Sequence, residues 1–399
     1  MNKTEIKYLF LITVIFIAAC IETDIYLPAF ADMMQFFSAT EKQIQSLLTW
    51  NFVGICLSGP LYGPVSDAIG RKKPLLVALG LFLFGSLITI VAQDFNYMLL
   101  GRLLQGLGSG GCFTLGTAII FDAFQSNKAI KAINQLNLII PFIMAAAPMA
   151  GGYLNHMYGF RSNFLAIALF VLVSLLICLT SFDETLSKEK RQPLQAKKIL
   201  TDFKQALMNV PFWQTTLVVS LLFAGYMVFL SGTAVLFVRE LGVEKAHFPF
   251  YQAAILVAWL VASLTNRRAL TKLGINKIKM VGTLLVVIGT IGFIISALAA
   301  PKDPYLITAV MLFYTFGVNW IMSLYFPEGM EVLPDIKGVT ASLLTSARML
   351  IAAVIVGVAS KLYNGTIYPM VTILVGITIV VVPTMILYER ARSKQRSDI

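Results

Sequence analysis

Charged residues are scarce in this chain, since only 13% of its 399 residues are Asp, Glu, Lys or Arg whereas 58% are hydrophobic. The mean hydropathy of +0.80 excludes an ordinary soluble globular domain. Histidine is rarer still, and His156 and His247 lie next to separate outside loops, at the ends of predicted spans. The sequence also lacks a Walker loop, a zinc motif and a Ser/His/Asp arrangement, which argues against a membrane-embedded enzyme or a metal centre.

The four cysteines and the excess of basic residues each have a simple interpretation. All four cysteines, Cys20, Cys56, Cys112 and Cys178, lie in apolar segments, where cysteine behaves as a small hydrophobic residue, so we expect no disulfide. The net charge of +11 is not arranged as a basic and aromatic nucleic-acid surface. Lysine and arginine concentrate instead in alternate loops, which predicts that both termini are cytoplasmic.

Apolar runs are abundant, and they are long enough to cross a ~30 Å hydrocarbon layer as helices. They predict an all-α integral membrane protein with twelve spans, near residues 7–29, 43–66, 73–93, 96–124, 128–156, 160–182, 211–240, 246–270, 276–299, 303–331, 337–363 and 366–389. The longest charged stretch lies between the sixth and seventh spans and predicts a solvated cytoplasmic linker over residues 183–210. The predicted domains are therefore six-helix bundles over 1–182 and 211–399.

Two carboxylates and one arginine lie in the first and fourth spans, where ionisable groups are costly and by default functional. Successive helical residues turn ~100°, so Glu22 and Asp24 point ~200° apart and cannot face one cavity. We predict that Asp24 faces the cavity, because Glu22 shares its face with Ala18 and Ala19, small residues that mark close helix packing. Asp24 and Arg102 lie ~7.5 and ~9 Å from the outer end of their spans, so their depths match.

A carboxylate at this depth has two possible roles. Low dielectric favours its protonated form and a nearby guanidinium favours its ionised form, so Asp24 beside Arg102 is expected to act as a proton switch. The alternative is a static ion pair that holds the two spans together.

Short motifs carry a family resemblance. "GPVSDAIGRKK" after the second span resembles the loop signature of the Major Facilitator Superfamily, with Ala68 in place of the usual basic residue. "RLLQGLGSGG" in the fourth span is similar to another signature of that family, and "APMAGG" in the fifth is similar to its antiporter motif, with Ala147 replacing the first glycine. With "DIYLPA", the set most resembles the bicyclomycin-resistance (Bcr/CflA) branch of the drug:proton antiporters.

The resemblance implies roles for the residues that match its motifs. An acid of the first span and Arg102 would take part in proton coupling. The loop glycines and a charge relay would latch one conformation, through Gly63, Asp67, Gly70, Arg71 and Asp122. Pro148, Gly151 and Gly152 of the antiporter motif would break or soften the fifth span and form a tight contact about which the two halves rock.

The expected function is proton-coupled efflux of small organic compounds or drugs by alternating access, with the binding site between the two halves. We expect no cofactor other than the proton gradient, and a monomer in the inner membrane of a bacterium that contacts lipid but no nucleic acid. One alternative is a dedicated exporter of a metabolite or siderophore. A passive channel is a further alternative, but a channel has no need of an acid and an arginine buried at one depth.

Aromatic and amide side chains at suitable depths are candidates for the substrate cavity, namely Tyr26, Trp50, Asn51, Asn137, Tyr226, Asn319 and Trp320. Arg348 lies ~16 Å into the eleventh span, close to mid-bilayer. One interpretation is structural, in which it pairs with Glu328, Glu331 or backbone carbonyls. The other places it in the cavity opposite Asp24, where its fork would favour carboxylate-bearing substrates over simple cations.

Overall fold

The computed structural model describes residues 3–124, 126–191, 196–244, 246–333 and 336–397. The described residues form long helices joined by short turns, with no strand among them. The helices are α1 Lys3–Asp24, α2 Phe30–Phe37, α3 Glu41–Ile69, α4 Lys72–Val91, α5 Phe95–Ala123, α6 Ser126–Tyr158, α7 Arg161–Ser181, α8 Ala196–Leu207, α9 Val210–Val235, α10 Phe248–Leu273, α11 Ile275–Ala299, α12 Pro304–Glu331, α13 Lys337–Leu362 and α14 Tyr368–Ser397.

Two compact units divide the chain. The first contains Met1–Ala196 together with Glu244–Ala253, and the second contains Lys197–Val243 and Ala254–Ile399. The domain boundaries expected from sequence, at residues 182 and 211, stay a prediction.

The first predicted span, 7–29, is interrupted. Helix α1 ends at Asp24, a short 3₁₀ turn follows at Leu27–Ala29, and α2 continues from Phe30. Pro28 lies in that turn, where its missing amide hydrogen costs nothing because the first amides of a new helical segment have no helical partner. The interruption places Asp24 at the last position of α1 and lets the backbone change direction directly after it.

Helix α3 is longer than the predicted 43–66. It begins at Glu41 after a capping box, in which Thr40 Oγ1 accepts a hydrogen bond from the Gln43 amide at 3.3 Å and the Gln43 side chain accepts one from the Thr40 amide at 2.8 Å. It continues to Ile69 and ends at Gly70, whose φ of 98° lies in the region that favours glycine. Gly63 is therefore inside a helix, and its placement in the loop after the second span is wrong.

The linker expected over residues 183–210 contains a helix, α8. Its sequence, "AKKILTDFKQAL", spaces Ile199, Leu200, Phe203 and Leu207 along one side of a helix, with lysines elsewhere. An amphipathic helix of this kind has the length of three turns, so the linker is not simply a solvated loop.

The core of the first unit forms around α5, which packs against α3 and α4. Close approach depends on glycine, since a Cβ at Gly106 would overlap the backbone carbonyl of Asn51 and one at Gly108 would overlap Phe82. In the second unit α9 is almost wholly buried and packs against α12, α13 and α14, while α11 packs against α12.

Ten helical segments of the described part are long and apolar enough to cross a membrane, one of them the interrupted segment Glu5–Phe37. Helix α3 is not among the ten, although it has 29 residues. The all-helical membrane fold agrees with the prediction from sequence. The number of twelve spans and the cytoplasmic position of both termini stay predictions.

Candidate functional site

A buried ion pair joins α1 to α5 in the first unit. Arg102 of α5 donates from one terminal nitrogen to Glu22 Oε1 of α1, and both side chains are completely buried. Phe16 of α1 lies against Gly116 of α5, so the two helices are in close contact along this face. Both charges compensate each other where water is absent, which is the arrangement that buried ions require.

Three more side chains complete the surroundings of the arginine. Arg102 donates to Gln105 Oε1 at 2.6 Å and to the Tyr26 hydroxyl at 3.0 Å, and its guanidinium carbon lies 4.3 Å from the Tyr26 ring centroid. Asn51 Nδ2 donates to Glu22 Oε1 at 2.8 Å and to the Arg102 carbonyl at 3.2 Å. The guanidinium is thus held by an anion, an amide, a hydroxyl and an aromatic face.

Asp24 is also completely buried, but neither of its carboxylate oxygens has a hydrogen-bond partner within the described residues. The prediction that Arg102 lies beside Asp24 is therefore wrong, because the structure pairs Arg102 with Glu22. Depth in the membrane could not show which of the two acids meets Arg102, because positions two residues apart in a helix differ by only ~3 Å along its axis. Ala18 and Ala19 are buried, and Glu22, on the same face of α1, meets the arginine of α5.

The antiporter-motif residues close over the interruption that follows Asp24. A Cβ at Gly151 would overlap the carbonyl oxygen of Ile25. Only glycine at this position therefore allows α6 to lie so close to the turn. Gly152 lies against the ring of Pro249, which belongs to the same unit. Helix α6 continues through Pro148 to Tyr158, so the helix does not break at this proline, and a softening of it stays a prediction.

A second charge cluster lies at the junction of α3 and α4, and the structure brings together three of the residues predicted for the latch. Arg71 pairs with Asp67 at 2.6 Å and with Asp122, at the end of α5, at 2.7 Å, and it donates to Ser66 Oγ at 2.6 Å. Burial opposes the charge, but the hydrogen bond to Asp122 and the nearby Asp67 hold the pKa of Arg71 above its ordinary value.

Sequence reasoning missed Glu184, which completes this cluster. Its carboxylate accepts from the Arg71 amide at 2.7 Å and from the Lys72 amide at 3.2 Å, so it caps the N-terminus of α4. A Cβ at Gly70 would overlap the same carboxylate, which gives Gly70 a second reason to be glycine. The signal was an acidic residue at the start of the charged linker, and linear spacing could not connect it to a loop 113 residues earlier.

The predicted cavity residues of the first unit divide into two groups. Tyr26 and Asn51 are completely buried within the ion-pair network, whereas Trp50 is 43% exposed. The side chain of Asn137 is outside the described residues. A cavity role for these four residues stays a prediction.

In the second unit most of the predicted cavity residues pack against neighbours. The Tyr226 ring lies 4.8 Å from the Trp259 ring, Asn319 donates to Ser263 Oγ at 2.8 Å, and Trp320 donates to the Ala262 carbonyl at 3.1 Å. Their enclosure fits a structural role as well as it fits a substrate wall.

Arg348 is different from these packed residues. Its guanidinium carbon lies 5.0 Å from the Phe223 ring and 5.3 Å from the Phe326 ring, and its Nε is buried without a hydrogen-bond partner. In the described part of the chain no ion pair joins it to Glu328 or Glu331, while Glu328 pairs with Lys279 and Arg392. A structural role for Arg348 stays an alternative.

Glu328 is instead part of a cluster that the sequence did not indicate. Lys279 of α11 donates to both oxygens of Glu328, at 2.9 and 2.7 Å, and to Glu389 of α14 at 2.6 Å. Arg392 pairs with Glu328 at 2.6 Å, and the Tyr325 hydroxyl donates to Glu389 at 2.9 Å. These bonds join α11, α12 and α14 at one end of the second unit.

Many apolar helices and buried, paired charges are typical of a membrane transporter. The described residues contain no group of His, Cys, Asp or Glu that could hold a metal ion. The chain belongs to the Major Facilitator Superfamily, whose family model matches residues 12–387. It is therefore a multi-pass transporter of the inner membrane and not an enzyme. The family predicted from the sequence motifs is confirmed.

Two curated relatives are similar over almost the whole chain. A bicyclomycin resistance protein homolog of Haemophilus influenzae is 23% identical over 376 residues, which cover 93% of each chain. The multidrug resistance protein MdtM of Escherichia coli K12 is 23% identical over 391 residues, which cover 96% of this chain and 93% of MdtM. A solved structure with the same fold is that of the xylose transporter XylE from Escherichia coli, in a partially occluded inward-open conformation. It has a TM-score of 0.75 at 15% identity, and the match covers 97% of this chain and 98% of XylE.

Proposed function

We propose that this chain exports small organic compounds, drugs among them, in exchange for protons, by alternating access across the inner membrane. The names of the two curated relatives, a bicyclomycin resistance protein homolog and a multidrug resistance protein, support drugs as the substrate class. The proton-coupling half of the proposal depends on the chemistry of the first unit.

The observation that carries the proposal is the state of Asp24, a completely enclosed carboxylic acid with no hydrogen-bond partner among the described residues. An ionised carboxylate without donors is very unfavourable in such an environment, so the neutral acid fits this conformation. Such an acid is neutral in one conformation and loses its proton when another conformation exposes it to water. In this way it carries one proton across the membrane per cycle.

Glu22 and Arg102 would assist as a fixed pair. Because Glu22 lies two residues before Asp24, its negative charge disfavours a second negative charge nearby. Arg102 is bound to Glu22, Gln105 and Tyr26, so it would not neutralise Asp24 unless those contacts loosen. We propose that the opening of the site exposes Asp24 to water or to Arg102, releases its proton, and so couples conformation to protonation.

The test is proton movement on addition of substrate. In everted vesicles with an imposed proton gradient, bicyclomycin and a panel of other drugs should trigger proton release to the outside medium by the wild-type protein. Asp24→Asn keeps the shape of the side chain but cannot titrate, and it should abolish this signal. Export of the drugs that is insensitive to collapse of the gradient would refute proton coupling, and absence of export for every member of the panel would refute drug efflux.

A further inference from the structure

Arg348 has an unusual position for a charged residue in a membrane protein. It lies near the middle of α13, about 16 Å along the helix axis from Lys337. Its side chain is half-buried, and within the described residues it makes no hydrogen bond and no ion pair. Its guanidinium lies near the rings of Phe223 and Phe326.

Arg102 differs from Arg348 at its terminal nitrogens, which are bound by protein groups, whereas the Nε of both arginines is buried without a hydrogen-bond partner among the described residues. Arg102 has a carboxylate, an amide oxygen, a hydroxyl and an aromatic face. Among the described residues, Arg348 has two aromatic faces and no group that accepts a hydrogen bond from it. An arginine at this depth is costly unless water or an anion reaches it.

Glu328, which was proposed from sequence, and Glu389, which shares its lysine partner, do not supply that anion. Glu328 is bound by Lys279 and Arg392, and Glu389 is bound by Lys279 and Tyr325. Aromatic faces stabilise a guanidinium without using its N–H donors. The donors of Arg348 that are not buried are therefore free for a ligand that enters from outside the protein.

We propose that Arg348 binds the acidic group of the transported compound, so that organic anions and zwitterions with a planar aromatic body are a substrate class of this protein. The planar guanidinium holds two oxygens of a carboxylate or sulfonate at once. The rings of Phe223 and Phe326 offer flat apolar surfaces beside that group for an aromatic body. The inference rests on the proposed export function, which makes the ligand a transported compound. It adds that this compound carries a negatively charged group.

Binding to the protein in nanodiscs of neutral phosphatidylcholine, with no proton gradient, tests this site. Isothermal titration compares three probes of one shape, 2-naphthoate, neutral 2-naphthamide and cationic 2-naphthylmethylammonium. We expect the wild type to bind the naphthoate roughly tenfold to a hundredfold more tightly than the amide, as a charge-assisted double hydrogen bond implies. The cation should bind least.

Variants assign the effect to the arginine. Arg348→Gln should remove the preference for the anion, and Arg348→Lys should retain part of it, because lysine keeps the charge but loses the fork. Arg390→Gln makes the same change at an exposed position of α14 and should bind all three probes as the wild type does. The wild-type comparison tests the proposal even if a variant does not fold.

Several results would overturn the site. They are equal affinity of the wild type for naphthoate and naphthamide, an anion preference that survives in Arg348→Gln, and displacement of naphthoate by phosphatidylglycerol in the nanodisc, which would make the ligand a lipid headgroup. Failure of the proposed function is separable. Proton-coupled export without anion binding removes only this site, and anion binding without proton movement leaves the site but removes the coupling.

Discussion

The two carboxylates of α1 form a natural matched pair of substitutions, Glu22→Gln and Asp24→Asn. Each replaces a buried acid with its isosteric amide, and the acids are two residues apart in the same helix. Their contacts are opposite, since Glu22 is bound by Arg102 and Asn51 while Asp24 has no partner in the described part of the chain. Stability and coupling should therefore separate between the two variants.

Glu22→Gln should be the more destabilising change. It leaves the Arg102 guanidinium fully buried without a counter-ion, and breaking a buried pair by removal of one partner costs about 3 to 5 kcal/mol. For a unit of roughly 200 residues, at about 2 to 4 °C per kcal/mol, the midpoint of thermal unfolding should fall by about 6 to 20 °C. The retained amide oxygen still accepts a hydrogen bond, which favours the lower part of that range.

Asp24→Asn should change stability by no more than about 1 kcal/mol, because no hydrogen bond is lost and an amide replaces a group of similar polarity. It should nevertheless eliminate substrate-dependent proton movement, as argued above. The expected pattern is thus a stable but uncoupled Asp24 variant and an unstable Glu22 variant.

A thiol-reactive fluorescent dye measures unfolding directly in detergent, because Cys20, Cys112 and Cys178 are buried and free in the folded protein. Vesicle assays at a temperature well below both midpoints measure coupling. Equal destabilisation by the two substitutions would contradict the assignment of Arg102 to Glu22. Wild-type proton movement in Asp24→Asn, with loss in Glu22→Gln, would transfer the titrating role to Glu22.

Three further predictions concern packing and the charge clusters. Asp67→Ala should lower the free energy of unfolding by less than about 1 kcal/mol, because the Asp67 side chain is 54% exposed. It should change the transport rate and the accessibility of cysteines introduced into the cavity more than it changes substrate affinity. Gly151→Ala should destabilise by about 1 to 3 kcal/mol in the dye assay through overpacking, whereas Gly80→Ala, which meets no atom within 4 Å, should be neutral or slightly stabilising. Lys279→Met should lower the unfolding midpoint more than an exposed lysine substitution does, because Glu328 retains only one cationic partner.

The sequence was sufficient to predict helices, family and several members of the site, because these depend on local composition and on short motifs. Apolar runs specify membrane helices whatever their neighbours are. Asp67, Arg71 and Asp122 were matched through a motif, and the structure brings them together. The motif "RLLQGLGSGG" was likewise matched by resemblance, and a Cβ at its Gly106 would overlap a neighbouring backbone.

The sequence could not predict which of two nearby acids meets Arg102. Helical rotation separates the directions of Glu22 and Asp24, but the direction of the neighbouring helix is a property of the tertiary fold. The partner of Arg348 raised the same difficulty. Glu328 lies at a plausible distance along the chain, yet it is bound by Lys279 and Arg392, residues 49 positions before it and 64 after it. Such competition among cations is visible only in three dimensions.

The surroundings of the two membrane arginines suit different roles in the proposed proton-coupled exporter. The terminal nitrogens of Arg102 are bound by Glu22, Gln105 and Tyr26, so a change in these contacts must come from a change in the protein, and this suits a group that senses protonation. Arg348 has aromatic walls and no protein acceptor within the described residues, so a change in its contacts comes from a ligand, and this suits a group that senses cargo. If both arginines lacked protein partners, an anion could bind to either of them. The response to protonation and the response to substrate would then no longer be separate. Loss of cargo selectivity without loss of proton movement is therefore the expected signature of Arg348→Gln, and the reverse is the expected signature of Asp24→Asn.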